Sequence, residues 1–547
     1  MKKIFFTAFF FSLILTSIAN NFTESDRLRG HWSLERFAYK VHFYDLAFEL
    51  FPDEKRISGQ NTIHFTLTEE TEKIQLDLVP EINITNIFWE ETGLHFERNE
   101  RAVFVLLPEN MQLNKRYKIT VFFEGQPPEA INPPWQGGLV WSEDKYENPW
   151  IGVAVQSDGA SMWWPVKDHF NEKADSVRIS CTLPDSLDCI SNGQFLKKQQ
   201  LENNRKRFEW LISYPVVPYN VTFYAGKYHF FTDEFNSVNN KKVDLNYYVL
   251  PHNSELAQKY FKQVAFTLDC FEQFFGPYPF PRDGYKLVEA PYAGMEHQSG
   301  IAYGNQFKKG YLGYDLTGSN LELDYIIVHE TAHEWWGNFI TAKDIADIWI
   351  HEALATYAEI LYVECYFSEE AVKKFLQQKR QGIRNDRPIR GTPGYFDKGS
   401  QDMYTKGAMI IHTLRSAIDN DSIFFEIFNS LTDKFAYGHI DTDSFIGTIN
   451  QTTQNDWSDF FDFYIHGTKL PVLEFKKTSR RRNVTIQYRW SNENAKLNFP
   501  VKVKLDGKNY AFIQPTDNWQ EIKITRAEFK EFKVDTNNFL IELNKRN

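Results

Sequence analysis

The stretch IIVHETAHEWWGNFITAKDIADIWIHEALATY, residues 326–357, decides how the rest of the chain is interpreted. It contains His329, Glu330 and His333, and Glu352 follows the second histidine after eighteen intervening residues. Residues four apart on a helix lie one turn above each other on the same face, so the two histidines can bind one metal ion with Glu330 beside it. The stretch therefore predicts the metal site of a zinc hydrolase.

The residues on both sides of the motif are apolar, ending with Trp335 and Trp336. A helix that carries a few polar groups within an apolar sequence runs through a core. We therefore prefer a metal site to the alternative of two histidines and a glutamate on a solvated helix face.

A second helix can bring a third ligand back to the metal. Gly337 and Asn338 are expected to end the first helix, and Asp344 or Asp347 to cap the second, which carries Glu352. Two histidines and one glutamate leave the fourth position of zinc open for water. His351 is an alternative third ligand that ranks lower because it lies on a different face of its helix.

The composition describes a folded globular protein. Of its 547 residues, 42% are hydrophobic and 16% aromatic, which allows several domains with cores of their own. The formal net charge of -11 argues against nucleic acid as a partner.

The first residues have the pattern of a secretory signal peptide. Lys2 and Lys3 precede an apolar run of fifteen residues, 4–18, and Ala19 ends a small-residue cleavage site. An uncleaved anchor is the less favoured alternative, because a membrane-spanning helix needs about 20 apolar residues. We therefore expect an exported protein, periplasmic or secreted, with no membrane span after cleavage.

Export makes disulfides possible among the four cysteines. Cys181 and Cys189 are close enough in sequence to bridge a loop around Pro184, and this pairing is left open. Cys270 and Cys365 lie in apolar, helix-like sequence, so we expect them to be free buried thiols.

Three domains are expected after the signal peptide, residues 1–19. Residues 20–235 alternate in short segments and predict an all-β domain. Within it, residues 132–168 are rich in tryptophan and do not alternate; we interpret them as lining of the catalytic cleft rather than a carbohydrate-binding surface. Residues 236–466 predict an α-rich catalytic domain with a small sheet before the metal helices. Residues 467–547 return to alternation and suit a small β-sandwich.

Three motifs together resemble those of the gluzincin zinc aminopeptidases, the family of aminopeptidase N and leukotriene hydrolase. They are His329-Glu330-x-x-His333 followed by Glu352; Gly294-Met295-Glu296, similar to the family's G-x-M-E-N; and Tyr404-Thr-Lys-Gly407, like its Y-x-K-G. The resemblance implies the fold of the short three-domain members. That fold has a saddle-like β domain, a thermolysin-like catalytic domain and a C-terminal β-sandwich.

The resemblance also implies the chemistry. One zinc ion per chain would be held by His329, His333 and Glu352, and the substrates would be peptides with a free N-terminus. Glu330 would be the general base that takes a proton from the zinc-bound water, and Tyr404 the hydroxyl that stabilises the oxyanion.

The segment Gly294-Met295-Glu296 is implied to bind the substrate. Glu296 would pair with the free α-ammonium group, so that only the first peptide bond reaches the metal. Gln156, in a stretch similar to the family's substrate-facing segment, would help to hold the same amine.

Two departures from the family pattern stand out. His297 occupies the position where the motif usually has Asn, and we assign it no role. The chain ends near residue 547, so the large helical domain that follows in many members would be absent and a more open site is expected.

Two other functions remain as alternatives. One is a related zinc hydrolase with endopeptidase activity, against which Glu296 argues. The other is a catalytically silent scaffold of the same fold, against which the complete set of ligands and base argues. The sequence specifies neither the preferred N-terminal residue nor the oligomeric state.

Overall fold

A computed structural model of the chain describes residues 22–492 and 496–546. The predicted signal peptide, residues 1–19, lies outside the described residues. Within the described ranges, no helix is both long enough and apolar enough to cross a bilayer. The chain runs through a β-rich, then an α-rich, then a second β-rich part, as the sequence predicts.

The N-terminal domain packs an eight-stranded, a four-stranded and a three-stranded sheet together. Their orders are β13-β14-β11-β1-β2-β8-β4-β5, β12-β15-β10-β9 and β3-β7-β6. The elements are α1 (Glu24–Gly30), α2 (Leu34–Phe37), β1 (Tyr39–Phe51), β2 (Arg56–Leu67), β3 (Lys73–Asp77), β4 (Ile82–Trp89), β5 (Thr92–Gly93), β6 (Phe96–Asn99), β7 (Ala102–Leu106), β8 (Arg116–Gly125), β9 (Gly138–Glu143), β10 (Pro149–Ala154), β11 (Ser176–Pro184), β12 (Asp188–Ser191), β13 (Gln194–Gln200), β14 (Arg205–Ile212) and β15 (Phe223–Gly226).

Alternation determines which face of the large sheet is buried. Along β1, Leu46, Phe48 and Leu50 are buried, whereas the residues between them are partly exposed. A side-chain period of two places these three residues on one face of the strand, against the core.

The tryptophan-rich segment 132–168 is more regular than the sequence predicts. It contains β9 and β10, which pair antiparallel. Because much of β10 is buried, it lacks the period-two pattern of a half-exposed strand. Trp163 and Trp164 are fully buried in the core, so their prediction as cleft lining is wrong, whereas Trp135 does line the cavity described below.

The catalytic domain places helices around a five-stranded sheet of order β16-β17-β18-β20-β19 and a two-stranded sheet of β21 and β22. Its elements are β16 (His229–Asn236), β17 (Lys242–Val249), α3 (Ser254–Tyr260), α4 (Lys262–Phe275), β18 (Tyr285–Glu289), β19 (Gly294–Met295), β20 (Ile301–Tyr303), α5 (Tyr325–Ala332), β21 (Thr341–Ala342), α6 (Trp349–Tyr366), α7 (Glu369–Gln381), α8 (Thr405–Ile418), α9 (Asp421–Phe435), β22 (His439–Ile440), α10 (Thr442–Thr453) and α11 (Ser458–His466).

The sheet pairing moves the first domain boundary. The predicted boundary, at residues 235 and 236, falls inside β16, which pairs with β17 along its whole length. Pairing is a tertiary property that alternation along one strand does not show, so β16 belongs with the catalytic sheet.

The C-terminal domain has a four-stranded sheet of order β27-β24-β23-β29 and a three-stranded sheet of order β26-β25-β28. Its strands are β23 (Val472–Ser479), β24 (Asn483–Trp490), β25 (Val501–Lys504), β26 (Tyr510–Ile513), β27 (Gln520–Thr525), β28 (Lys533–Val534) and β29 (Glu542–Arg546). Arg380 of α7 donates hydrogen bonds to the carbonyl oxygens of Thr536 and Phe539, which attach this domain to the catalytic helices.

The structure corrects the expectation that Cys270 and Cys365 are free thiols. Cys270 of α4 and Cys365 of α6 form a disulfide across a Cα–Cα distance of 6.2 Å, although we expected free thiols. Their helical setting is as predicted, but the two helices pack side by side and bring the sulfur atoms together. Cys181 and Cys189 are free and buried, in strands that belong to different sheets.

Candidate active site

The first two metal-binding side chains lie at the end of α5. The helix begins after Asp324, whose Oδ1 accepts a hydrogen bond from the Ile326 amide at 3.1 Å. It ends at Ala332, earlier than the stop predicted at Gly337, which has a φ of 131° within the following turn. His333 keeps right-handed helical dihedral angles, so its side chain stays one turn from that of His329.

The third side chain comes from the start of α6. A short 3-10 turn precedes this helix, and Asp344 caps that turn by accepting a hydrogen bond from the Ala346 amide at 2.9 Å. Asp347, the other predicted cap, instead accepts from the Thr442 hydroxyl at 2.6 Å. Helices α5 and α6 pack against each other and bring Glu352 to the two histidines.

The three side chains converge at distances that suit zinc. The Nε2 atoms of His329 and His333 are 3.2 Å apart, and they lie 3.6 and 3.5 Å from Oε2 of Glu352. Two ligand atoms about 2.1 Å from a tetrahedral metal ion are separated by about 3.4 Å. Oε2 of Glu352 is buried and has no hydrogen-bond partner among the described residues, which is costly unless a cation binds it. The donor set therefore fits one zinc ion.

The far nitrogen atoms of both histidines are held by hydrogen bonds. Nδ1 of His329 lies 2.7 Å from Oε1 of Glu359, and Nδ1 of His333 lies 2.9 Å from the carbonyl oxygen of Trp336. With a proton on each Nδ1, the lone pairs of both Nε2 atoms point to the metal position. This arrangement orients the rings before any ion binds.

Glu359 and Lys379 are residues that the sequence analysis missed. Lys379 donates from Nζ to Oε2 of Glu359 at 2.6 Å, and both side chains are buried. Burial would raise the pKa of Glu359, but the Lys379 ammonium and the hydrogen bond with His329 outweigh it and lower that pKa. Glu359 follows Glu352 by two helical turns on the same face, a signal that could have revealed it; Lys379 has no comparable signal.

We expect Glu359→Gln to lower zinc affinity by about 10- to 100-fold, because an amide cannot both orient His329 and neutralise the buried Lys379. Competition with a chromophoric chelator measures this affinity. Glu364→Gln is the control, since Glu364 lies on the same helix and pairs with Arg415 away from the metal ligands. Equal zinc affinity in the two variants would show that Glu359 does not position His329.

A cavity of about 570 Å³ opens between the N-terminal and catalytic domains and exposes the metal ligands. Trp135 and Gln156 line it from the N-terminal domain. The catalytic domain contributes further lining side chains, among them those of Glu296, Glu330 and Tyr404. A cleft of this size, with a few convergent polar groups, is typical of a substrate site.

Glu330 lies in the cavity wall with its carboxylate unengaged. The side chain is 6% exposed, and no hydrogen bond or ion pair joins its carboxylate to another described residue. Burial raises the pKa of Glu330 to about 8, with the charges of His329 and His333 opposing this shift. A Cβ atom at Gly294 would lie 2.5 Å from Oε1 of Glu330, so the carboxylate would have to move if this residue had a side chain.

Gln156 joins the N-terminal domain to the metal site. Its Nε2 donates to Oε1 of Glu296 at 2.7 Å and to Oε1 of Glu352 at 2.8 Å. Burial raises the pKa of Glu296, and the neighbouring charge of His333 lowers it. The structure therefore brings Gln156 and Glu296 together beside the metal ligands.

Met295 does not line the cavity with its neighbours Gly294 and Glu296. It is buried in the hydrophobic core, because successive residues of β19 point to opposite faces. We therefore correct its assignment from substrate binding to core packing.

Tyr404 immediately precedes α8 and lines the cavity beside His329, with 6.1 Å between the two ring centroids. A Cβ atom at Gly407 would lie 2.7 Å from Cβ of Ala353, so this glycine allows α8 to pack closely on α6. Burial, together with the charges of Glu352 and Glu296, raises the pKa of Tyr404 well above its usual range. The hydroxyl therefore stays protonated and can donate a hydrogen bond.

Two further histidines lie close by but outside the ligand set. Nε2 of His351, the alternative third ligand, accepts a hydrogen bond from the Ala342 amide at 2.6 Å. Nδ1 of His297 lies 2.7 Å from the Tyr224 hydroxyl, and burial lowers the pKa of His297 to about 3. His297 is therefore a neutral, buried residue that packs against the N-terminal domain.

Comparison with known proteins gives matches on both domains that form the cavity. The peptidase M1 N-terminal domain matches residues 40–219, and the peptidase family M1 domain matches residues 260–464. The chain is similar to Aminopeptidase 2 of Candida albicans, with 21% identity over 92% of this chain and 55% of that protein. It is also similar to glutamyl aminopeptidase of Rattus norvegicus, with 24% identity over 84% of this chain and 50% of that protein. The chain thus spans about half the length of these curated relatives.

Solved structures share the fold. An M1 zinc metallopeptidase from Deinococcus radiodurans superposes with a TM-score of 0.66 and 20% identity, covering 79% of this chain and 95% of that one. Legionella pneumophila aminopeptidase A in complex with aspartic acid superposes with a TM-score of 0.75 and 14% identity. The match covers 93% of this chain and 60% of that one. The fold class predicted from the sequence is confirmed, and the chain belongs to peptidase family M1.

Proposed function

We propose that this chain is a zinc-dependent aminopeptidase that hydrolyses the N-terminal residue from peptides. The observation that carries the proposal is the position of Glu296. It lies in the same cavity as Glu330 and the three zinc-binding side chains, and Gln156 links it directly to Glu352. An anchor for a positive charge thus stands beside the hydrolytic centre.

The zinc site is made by His329, His333 and Glu352. When bound there, zinc polarises the scissile carbonyl group and lowers the pKa of a water molecule to about 7. Glu359 and the Trp336 carbonyl group keep the two imidazole rings turned towards it.

Glu330 acts as the general base. Its carboxylate is free of other hydrogen bonds within the described structure and can accept a proton from the attacking water, then deliver it to the leaving amine. The raised pKa of Glu330 favours the first transfer, since a stronger base takes up the proton of the attacking water more readily. Tyr404, which lines the same cavity, donates a hydrogen bond to the oxyanion.

Glu296 determines which bond is cut. A buried carboxylate pairs well with the substrate's α-ammonium group, and its fixed position sets the distance from the amino end to the hydrolysed bond. Gln156 occupies one oxygen of Glu296 and so limits the directions from which the ammonium group can approach.

Related proteins support the proposal. The similar proteins in yeast and rat are named aminopeptidases, and a related M1 zinc metallopeptidase was solved with a Tyr-Ser-Ala substrate. Each of these names and substrates belongs to the related protein concerned. We propose the same activity for this chain because of the positions of its own Glu296, Glu330 and Glu352.

We also propose that the protein is exported. The pattern of residues 1–19 supports this, as does the Cys270–Cys365 disulfide, because disulfides persist in oxidising compartments.

A panel of aminoacyl 4-nitroanilides tests the function. We expect free-amine substrates to be cleaved at least about 100-fold faster than their N-acetylated forms, because acetylation leaves the Glu296 charge unpaired. A chelator should abolish activity, and zinc should restore it. Equal cleavage of both forms would remove Glu296 as the amine anchor; cleavage inside N-acetylated peptides would favour an endopeptidase, and no cleavage of any substrate a silent scaffold.

A further inference from the structure

We infer that one face of the C-terminal domain docks on a lipid bilayer that contains anionic phospholipids. This face, which we call the basic face, lies on the sheet of β25, β26 and β28 and the turns beside it. It is made of the side chains of Lys504, Lys508, Tyr510, Phe512, Lys530 and Lys533. No described side chain of residues 467–547 lines the catalytic cavity, so the inference stands independently of the proposed function.

The charge of the chain is divided very unevenly. Residues 467–547 contain 17 lysine and arginine residues against 9 aspartate and glutamate residues, a net charge of +8, whereas the whole chain carries -11. The remainder, residues 1–466, therefore carries -19. Such an asymmetry indicates that the basic part meets an anionic partner. It also turns the C-terminal domain towards a negatively charged surface and the rest of the chain away from it.

The lysines of the sheet lie close together. Lys502 and Lys504 of β25 are partly exposed and alternate with the buried Val501 and Val503, so both lysines lie on the outer face. Lys504 stands opposite Lys533 of β28. Two like charges directly opposite each other on neighbouring strands destabilise a sheet. The arrangement therefore favours an anionic partner that lies over both ammonium groups.

The charge of these lysines is not balanced within the domain. The structure gives no ion pair to the four lysines of the basic face within its described residues, although it pairs others of this domain, such as Lys502. The segments that carry the four, residues 504–510 and 530–534, contain two acidic residues, Asp506 and Glu531. The basic face therefore keeps an excess of positive charge.

Two aromatic side chains are exposed beside the lysines. Tyr510 and Phe512 of the edge strand β26 are 44% and 42% exposed. Lys504 stands opposite Tyr510, with its Nζ atom 4.3 Å from the ring centroid. Lys502 stands opposite Phe512 at 5.4 Å. Aromatic rings beside lysines suit a bilayer interface, because the rings enter the headgroup region while the ammonium groups contact lipid phosphates.

A bilayer fits this face better than nucleic acid does. A single strand of nucleic acid also favours basic and aromatic residues, but residues 1–466 would repel any strand longer than the C-terminal domain. A bilayer meets only the domain that is turned towards it. The proposed export also places the chain where membrane surfaces are accessible.

Sedimentation of the full chain with lipid vesicles tests the inference. One set of vesicles contains equal parts of phosphatidylcholine and phosphatidylglycerol, and the other contains phosphatidylcholine alone. We expect binding to the anionic vesicles to be at least about 10-fold tighter than to the neutral ones. Binding should weaken when the salt concentration rises from about 0.1 M to about 1 M, because salt screens the lysine charges.

Lys504→Glu combined with Lys533→Glu should weaken binding to the anionic vesicles at least about 10-fold, since two attractive charges become repulsive. The matched control is Arg481→Glu combined with Arg482→Glu, which changes the net charge equally in the turn between β23 and β24. This control should bind nearly as the wild type does. The midpoint of thermal unfolding checks that both double variants are folded.

Tyr510→Ser combined with Phe512→Ser tests the aromatic rings separately. The substitutions change no charge, so the salt dependence of binding should remain. We expect binding to the anionic vesicles to weaken at least about 3-fold, because no ring then enters the headgroup region.

Several outcomes overturn the inference. They are no binding to vesicles, equal binding to both kinds of vesicle, and an equal loss in the two charge-reversed variants, which would show that net charge rather than this face binds. Tighter binding to single-stranded DNA than to anionic vesicles would overturn it in favour of nucleic acid. Self-association without lipid that Lys504→Glu with Lys533→Glu abolishes would overturn it in favour of a second copy of the chain. Vesicle binding is measured without substrate, so a failure of the proposed function leaves its result unchanged.

Discussion

Glu330→Gln is expected to bind zinc as the wild type does and to lose at least about 1,000-fold in kcat. The amide has nearly the same size as the carboxylate, so the cavity around Gly294 remains filled and the three zinc ligands keep their places. What disappears is the group that accepts the proton of the attacking water.

Measurement of kcat together with bound zinc checks this expectation. Asp315→Asn serves as the control, because Asp315 lines the same cavity but its oxygen atoms accept hydrogen bonds from the amides of Thr317 and Asn320. A kcat near that of the wild type, in a variant that holds one zinc ion, would exclude Glu330 as the general base.

Glu352→Gln is expected to bind zinc at least about 100-fold more weakly and to be inactive at low free zinc, because it removes the single anionic ligand. The geometry makes the amide a poor replacement. Oε1 of Glu352 accepts a hydrogen bond from Gln156 at 2.8 Å, while Oε2 lies 3.5 Å from Nε2 of His333. A glutamine side chain would turn its NH₂ group either towards the metal or towards the NH₂ group of Gln156, and either contact is unfavourable.

The loss of zinc affinity is measured by the zinc content after dialysis and by the activity as a function of added zinc. Recovery of activity at high zinc concentration would show that the variant is folded and that affinity is what was lost. Glu359→Gln should fall between this variant and the wild type, since Glu359 acts through His329. Zinc content equal to that of the wild type would contradict the assignment of Glu352 as a ligand.

Much of the fold could be predicted because element types follow from local periodicity. The helices α3 to α11 all lie within residues 236–466, where the sequence predicts an α-rich domain, and α5 and α6 carry the two parts of the metal-binding motif. Local periodicity did not predict the strands correctly where a strand is buried on both faces or where its pairing decides which domain it belongs to. Strand β10 does not alternate, and β16 joined the catalytic sheet by pairing with β17.

The candidate site shows the same division. The spacing of His329 and His333 on one helix could be predicted, since four residues make about one turn. The hydrogen bonds from Gln156 to Glu296 and Glu352 bridge 140 and 196 residues, and no local pattern encodes such a contact. The Cys270–Cys365 disulfide, separated by 95 residues, was missed for the same reason.

The sequence by itself determined the order of β, α and β domains, the metal-binding motif and the identity of the candidate base, because each depends on residue type and short-range spacing. The tertiary structure decided that Glu359 and Lys379 support His329, that Met295 packs in the core, and that Gln156 joins Glu296 to Glu352. These features depend on distances between elements far apart in the chain, which only the packing of α5, α6, α7 and the N-terminal domain sets.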